Sequence, residues 1–384
     1  MESCLSVLKD VYNSLVNERT CLYETAKQSV SQYTQEKHFA DWKQRFPELK
    51  TVHAHLLQNV ALRVNLAFTA FFRRLRAGEK PGYPRMKGRG GYDSFTFKEY
   101  GNGCKLQGNI LQLSKIGQVR CVVHRPIVGE VKTCTVRRQA GKWFACFACE
   151  YEPEPLPPST ETVGIDVGLN HFAALATCEM AQPFARCAAD GDRSLSDGSF
   201  IANPRFFRKD ERALAKASLK QSKTAKGGKS RHKANKVLSR IHERVRNRRH
   251  DFVHQTARRL VNKFGLIAVE KLSVKDMMRN HRLAKSISDA AWSMFRNVLT
   301  VKAGSAGRVL AEVDPRYTSQ DCSGCGYRAK KKLSERWHHC PMCGLSMDRD
   351  TNAAWNLLDT ALNQKPVWGN TPGGGIPLQE APSL

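Results

Sequence analysis

Val163-Gly-Ile-Asp-Val-Gly-Leu169 is an apolar run broken by one carboxylate, and the apolar stretch Phe172–Leu175 follows almost at once. Such a run reads as a buried strand, and an acid inside it is out of place. Leu266-Ile-Ala-Val-Glu270 is a second buried-type strand, again ending in an acid, and Gly307–Val313 is a third. Between and after them lie helical patterns: residues 251–263 (Phe252, Val253, Leu260, Val261), Trp292–Val301, and Thr351–Leu362 with Asp350 at its N-terminus. Strands alternating with helices predict an α/β sheet. Asp166, Glu270 and Asp350 come from distant segments and can converge on one face of it. Carboxylate oxygens suit magnesium, a hard cation, and two such ions can activate a water and stabilise the leaving oxygen of a phosphodiester. Each acid also has a plainer reading. Asp350 can cap its helix, Glu270 can pair with Lys271 or an arginine, and Asp166 can shape a turn before Gly168.

Outward toward the N-terminus, Glu152-Pro-Glu-Pro-Leu-Pro-Pro158 reads as a stiff linker and a domain boundary. Before it, Phe95–Phe97, Ile110–Leu113, Val119–Val123, Val131–Val136 and Trp143–Cys149 alternate with turn signals at Gly101, Gly103, Gly117 and Gly141. This predicts a small β-barrel or sheet over 92–152. Residues 1 to about 80 carry helical stripes, Leu5, Leu8, Tyr12 and Leu15 and then Leu56, Val60, Val64, Leu66 and Phe71, which read as helix-bundle core. No tandem repeat is present, and the Gly/Pro-rich stretch Gly369–Leu384 predicts a disordered tail.

The 384 residues hold 62 Lys+Arg against 35 Asp+Glu, a formal charge of +27. A surface so basic excludes an ordinary metabolic enzyme and calls for a polyanion, nucleic acid first. Much of the charge sits in residues 204–249, with 17 Lys/Arg against 3 Asp/Glu. Gly227-Gly228 interrupts that run, which predicts two helices around a flexible loop. Its candidate phosphate contacts are Arg231, Lys233, Lys236, Arg240, Arg244, Arg246, Arg248 and Arg249. Phosphate contacts carry little sequence information. No apolar run of spanning length occurs, so no membrane partner is expected, and the start, Met1 to Asp10, does not read as a signal peptide.

Thirteen cysteines, mostly scattered, argue for a reducing compartment rather than a disulfide framework. Four are clustered: Cys322-x-x-Cys325 and Cys340-x-x-Cys343, 14 residues apart. Two thiolate knuckles make a closed tetrahedral site, hence structural rather than catalytic zinc. His338 and His339 lie nearby and are not needed as ligands. The site precedes Asp350 directly and would fix where that acid sits. Tyr317 and Trp337 can stack on bases or pack into a core.

Gly164-Ile-Asp-Val-Gly168, Ala268-Val-Glu-Lys-Leu272 and Asp348-Arg-Asp-Thr-Asn-Ala-Ala354 resemble, in that order, the three RuvC-like motifs of TnpB. TnpB is the transposon-encoded RNA-guided endonuclease related to type V CRISPR effectors. Pro81-Gly-Tyr-Pro-Arg-Met-Lys87, Arg246-Asn-Arg-Arg-His-Asp-Phe252 and Tyr317-Thr-Ser-Gln320 are similar to further family segments, so the resemblance spans most of residues 10–360. It implies a multidomain α+β architecture. Residues 1–80 would be a helical recognition bundle, 81–158 a small β-barrel wedge domain and linker, and 159–316 an RNase H-like (RuvC) α/β nuclease domain. The zinc ribbon would be inserted at 317–347, with a closing helix at 348–364 and the tail at 365–384.

The resemblance also implies a transposon-encoded endonuclease, inside the prokaryotic cell at its nucleoid, that cuts DNA next to a short target-adjacent motif. It would work as one protein per guide RNA on double-stranded target DNA, with Asp166, Glu270 and Asp350 catalytic on two magnesium ions and Asp350 preferred over Asp348. Two departures stand out. Family members usually begin with a short strand that completes the barrel, whereas here Met1 nearly abuts the first helix, around Val11-Tyr-Asn13. An RNA-guided DNA binder or repressor without cleavage is therefore the alternative reading. About 17 residues, Cys178 to Ser194, also look inserted into a hairpin, for which an exposed loop is the plain expectation.

Overall fold

The computed structural model describes residues 1–88, 90–179, 199–332 and 335–363. The chain forms two compact units, Met1–Glu152 and Pro153–Leu384.

The first unit opens with helices α1 (Glu2–Ala26), α2 (Gln32–Arg45) and α3 (Ala54–Arg76). The helical stripes are its core: Leu5, Leu8, Tyr12 and Leu15 of α1 and Leu56, Val60 and Val64 of α3 are all buried. Leu66 falls off the stripe and is exposed. Helix α2 buries only Gln35 and Phe39, too thin an apolar signal to stand out in the sequence. It is fastened instead by polar groups: the Gln35 Oε1 accepts from Arg19 Nε at 2.8 Å, and its Nε2 donates to the Leu15 carbonyl at 2.9 Å.

Six strands follow: β1 (Ser94–Phe97), β2 (Cys104–Gln107), β3 (Ile110–Leu113), β4 (Gly117–Arg120), β5 (Glu130–Gln139) and β6 (Lys142–Glu150). They form two three-stranded antiparallel sheets, β1-β5-β6 and β2-β3-β4. The expected closed barrel is therefore corrected to two separate sheets. Closure needs unbroken pairing around the ring. Strand β4 stops at Arg120 rather than running on to Val123, and Val122 and Val123 lie exposed in a loop through Pro126, which has no N–H to pair. One continuous core joins α1, α3 and both sheets, through Leu8, Leu56, Phe95, Phe97, Leu111 and Cys134.

The second unit is built on a five-stranded mixed sheet. Strands β7 (Glu161–Val167), β8 (His171–Glu179) and β9 (Ser199–Ala202) run antiparallel. Helices α4 (Phe206–Ser222) and α5 (Lys229–Lys263) lead to β10 (Leu266–Glu270). Helices α6 (Val274–Met277), α7 (Ala284–Ala290) and α8 (Trp292–Ser305) lead to β11 (Val309–Val313). Strand β10 lies parallel to both β7 and β11, giving the order β11-β10-β7-β8-β9. Apolar side chains alternate between the two faces. Val163, Ile165, Ile267 and Val269 share a core with α5 and α8, while Leu266, Ala268 and Val313 pack against α9 (Arg349–Asn363). A short hairpin, β12 (Trp337–His339) with β13 (Ser346–Asp348), precedes α9. The helix expected over 251–263 is the second half of the single 35-residue α5. The expected insert lies outside the described residues apart from Cys178 and Glu179, which extend β8, and the expected tail at 365–384 lies outside them too.

Candidate active site

Asp166 sits late in β7, Glu270 ends β10 beside it, and Asp350 opens α9. The close approach of α9 to β7 depends on Gly164. A Cβ there would lie 2.0 Å from the Ala354 carbonyl oxygen, and only hydrogen fits. Buried Ala353 and Ala354 complete that contact and set the first turn of α9 over the end of β7. A Cβ at Gly168 would stand 3.8 Å from Asp350 Oδ2, so the third acid lies above the strand that carries the first.

Asp166 and Glu270 share a hydrogen bond. Burial, with Glu270 and Asp350 close by, pushes the Asp166 carboxyl well above the carboxylate range, and burial raises Glu270 to about 7. Two half-buried acids side by side resist ionising together unless a cation lies between them. Asp350 is differently placed. Its Oδ1 accepts from Arg349 Nε at 3.2 Å and Nη2 at 3.0 Å, and Arg336 Nη1 lies 3.6 Å from Oδ2. The cap of α9 is Asp348, whose Oδ1 accepts from the backbone N–H of Asp350 at 2.8 Å and of Thr351 at 3.1 Å. Asp350 is thus free of the capping role and lies near enough to act on both other acids electrostatically, although the three carboxylates are not drawn together as closely as the cysteine sulfurs. Among the described residues Glu270 pairs with neither Lys271 nor an arginine, and Asp166 and Thr318 act on its carboxyl.

The four cysteines lie in two matched knuckles. The Cys322 N–H donates to the Tyr327 carbonyl and the Gly326 N–H to Cys322. The Cys340 N–H donates to Leu345 and the Gly344 N–H to Cys340, all at 2.8–3.0 Å. Gly326 and Gly344 close the turns at φ 76° and 74°. The four sulfurs lie within 4.8 Å of one another, and among the described residues no other group of three or more potential ligands is drawn together so closely. Backbone N–H groups of Cys343 and Met342 pull the Cys340 thiol down to about 6, whereas burial pushes Cys322 up to about 12. Four thiols so arranged fit a structural zinc ion. His338 is buried and His339 exposed, and neither belongs to the group. Tyr317 and Trp337 are 49% and 61% exposed, so neither is a core residue.

Sequence reasoning missed the side chains that fasten this ribbon to α9. Asn352 Oδ1 accepts from the Ser323 N–H at 2.9 Å, and its Nδ2 donates to the Asp321 carbonyl at 2.8 Å. Asn356 Nδ2 donates to Thr318 and Asp321, both at 2.7 Å. A signal existed, because Asn is a poor residue for a helix interior and two at i, i+4 mark a face with polar work to do.

The basic run divides by role. Arg231 Nη1 donates to the Gln221 and Thr224 carbonyls and ends α4. Arg244 and Arg248 pair with buried Asp210 at 3.3 Å each. Arg249 pairs at 3.0 Å with Asp289, which also accepts from the N–H of Phe207 at the start of α4. Arg246 is half-buried beside Asn247. Lys233, Lys236 and Arg240 point outward into solvent. Among the described residues no helix is long and apolar enough to cross a membrane.

The mixed sheet, the closing helix and the cysteine ribbon define an α+β protein of the Cas12f1 fold. The structure described as "Cryo-EM structure of the Cas12f1-sgRNA-target DNA complex" matches with a TM-score of 0.53 at 14% identity, over 93% of this chain and 81% of that one. Residues 146–281 match the OrfB_IS605 family, described as "Probable transposase", and residues 292–357 match the family "Cas12f1-like, TNB domain". A Streptomyces pristinaespiralis protein named "Putative RNA-guided DNA endonuclease" is 33% identical over 92% of this chain and 83% of its own length. The Escherichia coli K12 protein "Putative RNA-guided DNA endonuclease InsQ" is 29% identical over 87% and 81%. "TnpB-like protein L79" of Acanthamoeba polyphaga mimivirus is 30% identical over 35% and 27%. The chain belongs to the TnpB family.

Proposed function

We propose that this chain is a magnesium-dependent, RNA-guided DNA endonuclease with an RNase H-like (RuvC) nuclease fold. The observation that carries the reading is the convergence of Asp166, Glu270 and Asp350 from β7, β10 and α9. The sheet order, three antiparallel strands extended by two parallel ones, supports the RNase H-like assignment, and the names of the relatives support the guide and the DNA target. The donor set fits magnesium: all ligands are hard oxygens, and a cation there would relieve the repulsion that, with burial, holds the Asp166 carboxyl above the carboxylate range. Asp166, Glu270 and Asp350 would hold the ions. The chemistry a magnesium pair supplies there when bound is Lewis acidity on a phosphodiester oxygen and a nucleophilic water at neutral pH. Arg349 and Arg336 orient Asp350, and the half-buried Asp166 and Glu270 are only partly open to water. The outward lysines and arginine of α5 grip nucleic-acid backbone, and sequence is read by the guide.

The test uses the full chain loaded with guide RNA on a target with its adjacent motif. Asp166→Asn should abolish cutting in magnesium and leave target binding intact. Retention of full cutting by that variant would sink the assignment. Binding by the wild type without any cutting would favour a guided binder instead.

A further inference from the structure

We propose that Asn352 and Asn356 are positioning residues that couple the cysteine ribbon to the acid site, so that the fold of the ribbon sets cation affinity at Asp350 and Glu270. The inference rests on the metal reading of the three acids. Both asparagines lie on α9, two and six residues beyond Asp350, at i, i+4 on one helix face. Their amides grip the base of the ribbon at three points: the Thr318 and Asp321 carbonyls and the Ser323 N–H. Ser323 follows Cys322 directly in the chain, so the N–H held by Asn352 adjoins a zinc-ligand position. Thr318 works in the opposite direction, because its side chain acts on Glu270 and draws that carboxyl down, while its hydroxyl donates to the Pro315 carbonyl at 3.0 Å. The same few atoms therefore touch the ribbon, the helix that carries Asp350 and the side chain of Glu270. Asn352 is fully buried. A leucine there would suit the helix better but would leave the buried Ser323 N–H without its partner, so the asparagine is held at this position by what it grips in the ribbon. Cation sites tolerate little misplacement of their donors, and partners one step removed from the ligands commonly shift affinity by 10- to 100-fold.

The test reads metal binding without catalysis. Zinc-loaded full chain, free of nucleic acid, is titrated with manganese while free ion is followed by electron paramagnetic resonance. Asn352→Ala and Asn356→Ala should each bind manganese roughly tenfold more weakly and retain one zinc per chain. Thr318→Val, which keeps the carbonyl and loses the hydroxyl, should weaken manganese in the same sense, and it decides the matter if Asn352→Ala sheds zinc. Leu299→Ala, a cavity in the α8 core, controls for lost stability and should leave manganese affinity unchanged. If the asparagine and threonine variants melt earlier yet bind manganese as the wild type does, these residues serve folding only and the proposal is overturned. If wild-type manganese binding does not depend on Asp166, the metal reading itself fails and the coupling fails with it.

Discussion

Asp166 and Gly164 are two positions apart on β7 and therefore share a face of the sheet. The acid is useful only because the glycine lets α9 come close enough to bring Asp350 over it. Gly164→Ala would drive a Cβ into the Ala354 carbonyl. It should cost about 1–3 kcal/mol, lower the melting temperature, and remove cutting even though no acid is touched. An unchanged melting curve would show that α9 can shift at no cost. Asp166 was legible in the sequence as a lone charge in an apolar run. Gly164 was not, because its constraint comes from a helix far along the chain. A second residue-scale device concerns pH. His53 caps α3, its Nδ1 accepting from the His55 N–H at 3.3 Å, and burial with His55, Lys43 and Lys115 nearby holds its pKa below 6.5. The fold thus prefers the neutral ring. Its contribution is present above pH 6.5 and is lost as the pH falls, when the protonated ring can no longer accept. His53→Asn, a good cap that does not titrate, should melt like the wild type at pH 7.5 and above it at pH 5.5. Parallel melting curves at both values would remove His53 as the cause.

At the scale of elements, the α4–α5 hairpin shows how a basic run is spent. The stretch 204–249 was legible as two helices about Gly227-Gly228, but the division of its arginines between structure and surface was not. The partners that claim them, Asp210 and Asp289, are single acids with no pattern around them. Helix α4 is preceded by Arg205, which is left-handed and offers no side-chain cap, so Asp289 of α7 fills that role while pairing with Arg249. Removing Arg249 leaves a buried carboxylate short of its counter-charge, at a cost of about 3–5 kcal/mol. Lys233, Lys236 and Arg240 stand outside this network. Changing all three to Ala should leave the melting temperature within a few degrees. It should also lower the slope of log affinity against log salt for RNA or DNA by about two to three. An unaltered slope would move the phosphate contacts elsewhere, and a large loss of stability would place the three residues inside the fold.

The whole molecule carries +27 over two units with separate cores. The stiff segment before β7 marked the division in the sequence, and from Pro153 on it belongs to the second unit: the Leu156 N–H donates to the Ala306 carbonyl at 3.0 Å. The barrel was misread because alternation reports that strands exist and leaves their partners open. Pairing depends on where each strand stops, and Arg120 ends β4 before it can reach another edge. The ribbon, by contrast, was legible to the residue, since cysteine spacing maps directly onto knuckle geometry. That difference makes metal a selective handle on one half of the chain. All four cysteines, and the asparagines that hold their loop, lie in the second unit. Binding to the folded state alone stabilises only the unit that binds. Scanning calorimetry of the full chain should therefore show two transitions. Stripping zinc with a strong chelator should lower one by many degrees and leave the other, which belongs to the α1–α3 unit, in place. Readdition of zinc should restore the first. A single transition that moves as a whole on chelation would mean that the two cores melt as one, and that the ribbon stabilises the entire chain.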